Sequence, residues 1–256
     1  MKVSLQHYIF YIVVGILLQG CHPKKLIYTT SNQQYIFSDP SNNHIDTENM
    51  SFISSYSDSL KKTMNTILAI SAQAMVKELP EGLLGNYCAD ACLHQVERIC
   101  KQENYPTPDF LFLNHGGLRA SLPRGKITIG NVYEVMPFEN ELVVLTMNGT
   151  DADSVLQHIA SMGGAPVSGV RFSIDGKRAK DITVNGTALS ATKIYHVATS
   201  DYLANGGDGF SVLKKFTERK ILSLKVREAL LLDLKNYGMT GDSIIIQKDG
   251  RLVRIQ

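Results

Sequence analysis

Two glycine-rich segments constrain this chain more than any other feature. Asn114-His115-Gly116-Gly117 directly follows the apolar run Phe110 to Leu113, and Asn205-Gly206-Gly207-Asp208-Gly209 comes shortly after an apolar run ending at Ala198. Glycine enters left-handed backbone without steric cost and lets the chain pass close to another group. A strand that runs into such a segment must end in a tight loop, so the pattern predicts two loops built for close approach.

Around these loops the apolar residues follow two periods. Met50, Ile53, Leu60 and Met64 predict a helix over Asp46 to Asn65, and Leu84, Cys88, Ala91, Cys92 and Ile99 predict a second. Strands are expected at Ile67 to Met75, Phe110 to Leu113, Lys126 to Thr128, Glu141 to Met147, Val170 to Ile174, Asp181 to Val184, Lys193 to Ala198 and Arg251 to Ile255. Asp175-Gly176 and Asn185-Gly186 carry hairpin turn chemistry. A short helix is expected at Asn131 to Val135. A longer one, opened by a capping box of Thr150 and Asp153, buries Val155, Leu156 and Ile159 and stops at Gly163-Gly164. Ser223 to Tyr237 reads as a last helix, and Lys214, Lys215, Arg219 and Lys220 as the solvated face of a helix. The expected fold class is α+β: a single mixed-sheet domain over residues 46–256 with helices packed on the sheet.

Before that domain come Lys2, an uncharged apolar run from Tyr8 to Leu18, and then Leu18-Gln19-Gly20-Cys21. The run is shorter than the roughly 20 residues a spanning helix needs. It resembles a bacterial lipoprotein signal, which implies cleavage before Cys21 and acylation of Cys21. An uncleaved anchor and an ordinary signal peptide are the alternatives. The organisation expected is a signal peptide at 1–20, a polar tether at 21–45 and the folded domain beyond. It places the protein in the bacterial cell envelope, membrane-anchored through lipid on Cys21, on the periplasmic or outer-membrane face.

The charge balance narrows the partners. Net charge is +2, and once Lys2 is set aside 25 basic residues face 24 acidic ones. Nucleic-acid binding needs a basic face that displaces counterions, so no nucleic-acid partner is expected. Cys88 and Cys92 stand i, i+4 with His94 nearby, as soft-metal ligands could, yet cysteine also packs as a small hydrophobe. No second pair completes four ligands, so no metal is expected in this chain, and His44, His94, His158 and His196 are too scattered to add one. Phosphate-loop, dinucleotide-loop and serine-nucleophile motifs are absent.

Four ordered segments carry a resemblance: LLGNYCADAC from Leu83, NHGGLRASLP from Asn114, ITIGNVYEVMPFENELVVL from Ile127 and LANGGDGF from Leu203. From about Asp46 to the C-terminus the chain resembles the C-terminal, substrate-recognition domain of the 5′-nucleotidase and UDP-sugar hydrolase family. The resemblance implies that Phe138 and Tyr202 form the two aromatic walls around a base and that Asp208 accepts the ribose hydroxyls. It also implies that Asn114 and Arg119 contact the base edge and the ribose or phosphate side. Gly116, Gly117, Gly206, Gly207 and Gly209 support these loops. His115 stands where the family has the first glycine of its loop. Before Leu84 the family places an arginine; here Lys77 offers a point charge without the guanidinium fork.

The chemistry of these residue types agrees. Two aromatic faces clasping a flat base supply about 1–3 kcal/mol of stacking each, and one ionised carboxylate can accept both hydroxyls of a ribose. Glycines flanking Asp208 and following Asn114 are expected to adopt positive φ and admit a ligand.

In the family a separate N-terminal metallophosphatase domain performs hydrolysis with two metal ions. This chain has no Asp-x-His, one signature of that domain, and Asn114-His115 is followed by glycine, not by an acid. The expectation is therefore the nucleoside- or nucleotide-recognition half of a 5′-nucleotidase serving nucleotide catabolism. It is not catalytic alone, carries no cofactor, and acts with a separate metallophosphatase chain that holds the divalent metals. The alternative is a stand-alone nucleoside- or nucleotide-binding surface lipoprotein.

Overall fold

Leu142 to Met147 is apolar at every position but Thr146, as a strand buried on both faces must be. The computed structural model describes residues 47–255. The signal segment, the tether, Cys21 and His44 lie outside the described residues. Among the described residues six helices and twelve strands follow in order. They are α1 (Thr47–Met64), β1 (Ile67–Ser71), α2 (Leu83–Gln102), β2 (Phe110–Phe112), β3 (Gly125–Thr128), α3 (Ile129–Val135), β4 (Glu141–Asn148), α4 (Gly149–Ser161) and β5 (Val167–Ser168). Then come β6 (Val170–Asp175), β7 (Arg178–Val184), β8 (Thr187–Ala188), β9 (Ile194–Ser200), α5 (Asp201–Ala204), β10 (Glu218–Lys225), α6 (Val226–Thr240), β11 (Ser243–Ile244) and β12 (Leu252–Ile255).

The fold is α+β, with the strands divided among three mixed sheets. The orders are β11-β1-β3, β10-β4-β9-β2-β5 and β12-β6-β7-β8. The five-stranded sheet is the wall between two hydrophobic cores. Leu111, Leu142, Val144 and Ala198 join one core with Leu84, Cys88, Cys92 and Val96 of α2 and Leu230 and Leu234 of α6. Their strand neighbours Phe110, Phe112, Val143, Leu145 and Val197 join the other with Val155, Leu156 and Ile159 of α4. Successive residues point to opposite faces, so a strand lying between two packed layers has to be apolar throughout.

Cys88, Cys92 and Cys100 are buried and unbridged, continuing the apolar stripe of α2. Burial pushes the thiols of Cys88 and Cys92 well up, so they pack as neutral groups. His94 stands 3.8 Å from Asp233 of α6.

Four local expectations change. The strand predicted to reach Met75 ends at Ser71, and Met75 makes only an isolated bridge to Leu122. Helix α4 is capped by Asn148, whose side chain accepts from Asp151 N at 2.8 Å; Thr150 is already inside the helix. Arg219 and Lys220 lie on β10, an edge strand pairing with β4, while Lys214 and Lys215 sit in a short 3₁₀ turn. Ser223 belongs to the same strand, and the last helix starts at Val226. Lysine and arginine on an edge strand discourage pairing with another chain, which a charge pattern alone does not distinguish from a solvated helix face.

The C-terminal segment is tied down by charge. Arg251 donates to both oxygens of Asp90 at 2.7 and 3.0 Å and to Oδ1 of Asp249 at 3.0 Å, while Ser168 donates to Asp90 at 2.6 Å. Among the described residues no helix is long and apolar enough to cross a membrane.

Candidate functional site

Strand pairing brings the two glycine loops together. β2 and β9 are parallel neighbours, with Leu111 opposite Ala198, so the loops that leave their C-terminal ends emerge at the same edge of the sheet. β4 runs antiparallel to β9 with Leu142 opposite Ser200, which brings the start of β4, and Phe138 before it, to that edge too. Open sheets place ligand sites beyond the carboxyl ends of strands for this topological reason. Here the edge holds a cavity of about 340 Å³ lined by Asn114, Gly116, Arg119, Phe138, Asn140, Tyr202 and Asp208. The five side chains singled out in the sequence thus line a single cavity.

Phe138 and Tyr202 leave 41% and 42% of their surfaces exposed. Large aromatic residues half open to a cavity offer faces on which a flat ring can stack. Tyr202 sits in α5, whose start is capped by Ser200 accepting from Leu203 N at 3.3 Å. Gly207 lies directly under its ring: a Cβ on Gly207 would stand 2.5 Å from Cε1 and Cζ of Tyr202. Gly207 is therefore required for contact, since its φ is not in the left-handed region; Gly206 and Gly209 do adopt positive φ, at 92° and 80°.

Asp208 is itself left-handed at φ 49°, ψ 28°. Its Oδ1 accepts a 2.7 Å hydrogen bond from the Tyr202 hydroxyl. That bond, ahead of the neighbouring negative charge, holds the Tyr202 hydroxyl above its ordinary pKa.

Asn114 precedes a 3₁₀ turn, His115–Gly117, in which neither glycine takes positive φ. The expected backbone freedom is unused there; what counts is the missing side chain. A Cβ on Gly117 would lie 2.7 Å from Oδ1 of Asn114, so only glycine lets that amide fold back over the turn. The Arg119 guanidinium makes a long 3.4 Å contact to the Gly116 carbonyl. Burial and then the charge of Lys77 hold the His115 imidazole below its ordinary pKa, which places Lys77 within electrostatic reach of this loop.

Three residues at the site escaped the sequence reading. Asn140 lines the cavity two positions after Phe138. Arg227, buried at the start of α6, donates to the carbonyls of Met136 and Phe138, both at 3.2 Å, and stacks over Tyr133 at 4.3 Å. It pairs with Glu139 as well. His158 of α4 stands 3.0 Å from the Asp208 carbonyl. Nothing local to Arg227 or His158 signals these contacts, because their partners lie far away in sequence.

Elsewhere, a cavity of about 200 Å³ is lined by Asp90, Arg171, Asp249 and Arg251. The acids and bases there already pair with one another.

The cavity-bearing region is also where the chain resembles known proteins. The family model for the 5′-nucleotidase C-terminal domain matches residues 57–215. The trifunctional nucleotide phosphoesterase protein YfkN of Bacillus subtilis is 28% identical over 194 residues, covering 70% of this chain and 13% of that protein. Protein UshA of Yersinia enterocolitica is 29% identical over 149 residues, covering 53% of this chain and 27% of its own length. The solved structure of a 5′-nucleotidase precursor from Thermus thermophilus superposes with a TM-score of 0.69 at 28% identity, covering 82% of this chain and 43% of that one. The chain therefore spans well under half the length of these relatives. Since the family match takes in both glycine loops and the Phe138 segment between them, this chain belongs to the 5′-nucleotidase C-terminal domain family.

Proposed function

We propose that this chain is the nucleoside-recognition half of a 5′-nucleotidase. It is held on a membrane surface of the cell envelope by lipid on Cys21, and a metallophosphatase on a separate polypeptide, carrying the divalent metals, completes it. One observation carries the reading: Asn114, Arg119, Phe138, Tyr202 and Asp208 line one cavity. Two open rings suit a base, the acid suits the hydroxyls of a ribose, and the guanidinium suits a phosphate.

What supports the division of labour is the kind of group assembled: the rings, the amide, the acid and the guanidinium that line the cavity are groups that bind and orient a substrate. The reaction served is hydrolysis of a nucleoside monophosphate to nucleoside and phosphate, in which this chain holds the substrate and its partner activates the water.

The test measures phosphate release from AMP with this chain alone, with a secreted metallophosphatase lacking such a domain, and with both. A rate for the mixture well above the sum of the two parts is expected. Turnover by this chain alone at an enzymatic pace, or no gain on mixing, defeats the proposal.

A stand-alone capture role is favoured by one feature: before Leu84, where the family resemblance implies an arginine, this chain offers Lys77, a point charge without the guanidinium fork. A binder of neutral nucleosides needs no phosphate clamp. Calorimetry with adenosine and AMP separates the readings: clear preference for AMP favours the split enzyme, equal affinity favours capture.

A further inference from the structure

We propose that His158 is the positioning residue that aims the Asp208 carboxylate, so that recognition of the ribose hydroxyls depends on it. The inference rests on the nucleoside reading above. Asp208 occupies left-handed backbone at φ 49°, flanked by Gly206 at 92° and Gly209 at 80°. Aspartate is one of the few residues with a side chain that enter this region, and contacts with its neighbours fix it there.

Two contacts hold Asp208 from opposite ends. The Tyr202 hydroxyl donates to its carboxylate at 2.7 Å, and Nε2 of His158 lies 3.0 Å from its carbonyl oxygen. A carbonyl only accepts, so Nε2 carries a proton and donates it to this bond. The ring also packs on the loop itself, since a Cβ on Gly209 would lie 3.4 Å from Cε1 of His158. Its support reaches the sheet: His158 meets Phe210 edge-on at 4.4 Å, and Phe210 packs at 5.1 Å on Phe112 of β2.

Helix α4 thus fastens the peptide that joins Asp208 to Gly209, directly beside the carboxylate. Phe138 reaches the ligand without this contact, and the Tyr202 ring is tied to Asp208 only through its hydroxyl, so removing it weakens recognition of the sugar hydroxyls more than base stacking.

The experiment titrates adenosine and 2′,3′-dideoxyadenosine into the purified full chain and into His158→Leu, His158→Asn and His158→Gln, with thermal unfolding recorded beside each. His158→Leu and His158→Asn, the latter too short to reach the carbonyl, are expected to weaken adenosine about three- to tenfold. Affinity for the dideoxynucleoside falls by clearly less in both. His158→Gln places an N–H near the position of Nε2 and restores most of the loss. Equal losses for both ligands, no loss, or no rescue by glutamine overturns the role of His158. A wild-type chain that binds neither compound overturns the nucleoside reading itself, and this inference with it.

Discussion

The hydroxyl of Tyr202 donates to Oδ1 of Asp208 across 2.7 Å. The ring and the acid that would meet different parts of one ligand are therefore linked through their own side chains. The carboxylate keeps its second oxygen and remaining lone pairs for a ligand, while the Tyr202 hydroxyl helps to fix its orientation. The linkage has a measurable signature. Because the bond to Asp208 favours the protonated hydroxyl, Tyr202 should ionise above the ordinary tyrosine value of about 10. Ultraviolet titration against Tyr202→Phe identifies its contribution, and Asp208→Asn should bring that ionisation back down. A Tyr202 that titrates identically with and without Asp208 contradicts the geometry.

Gly207 forms the floor under the Tyr202 ring, with the hypothetical Cβ at 2.5 Å. Gly207→Ala should displace the ring and weaken adenosine binding towards the level of Tyr202→Ala, which removes one stacking face and costs roughly five- to 150-fold. The unfolding midpoint should barely move, because the ring is half exposed. Calorimetry and thermal melts read the two effects separately; unaltered affinity in Gly207→Ala speaks against Tyr202 as a stacking wall.

Gly238 inverts the usual rule for helices. In an exposed helix interior, glycine to alanine stabilises by about 1 kcal/mol. In α6 a Cβ on Gly238 would lie 2.0 Å from the Leu68 carbonyl oxygen of β1, a backbone atom that cannot step aside. Gly238→Ala is expected to destabilise by roughly 1–3 kcal/mol through overpacking, read from urea midpoints. A stabilised variant rejects this close approach of α6 to β1.

Acid should loosen the C-terminal clamp. Burial pushes the Asp249 carboxyl up, but hydrogen bonds from Arg251 and the charges of Arg251 and Arg171 outweigh it and hold the carboxyl below its ordinary value. A group that is more acidic folded than unfolded adds stability that is complete above its unfolded pKa, about 3.9. That stability is lost as pH falls through the lower folded value. Denaturant midpoints should thus hold steady down to about pH 5 and drop below about pH 4, and Asp249→Asn should shallow the drop. Arg251→Met should destabilise at neutral pH by roughly 2–3 kcal/mol, less than for a fully buried pair because Asp90 keeps some exposure. A variant as stable as the parent would show that the clamp contributes nothing.

How far the fold was legible depends on where each residue's partners lie. The stripe of α2 and the Asn185-Gly186 hairpin follow from local chemistry and stand where expected, whereas the preceding hairpin turns at Gly176-Lys177 and its second strand begins at Arg178, three residues before the expected Asp181. β10 was illegible because Arg219 and Lys220 carry the charge an edge strand needs, which reads locally as a solvated helix. The Asn148 cap was missed because Thr150 and Asp153 imitate a capping box two residues late.

The sequence by itself determined the α+β class and the two glycine loops that follow apolar strands, and its resemblance to the 5′-nucleotidase C-terminal domain singled out five side chains that line the cavity. Only the tertiary structure decided that these side chains meet, through the parallel register of β2 with β9 and the antiparallel register of β4 with β9. It alone decided that Arg227 would hold the Phe138 segment and His158 the Asp208 carbonyl. The physical reason is range: periodicity and turn chemistry act between neighbours, whereas a hydrogen bond from α6 to the Phe138 loop exists only after the sheet has brought distant segments of chain within about 3 Å of each other.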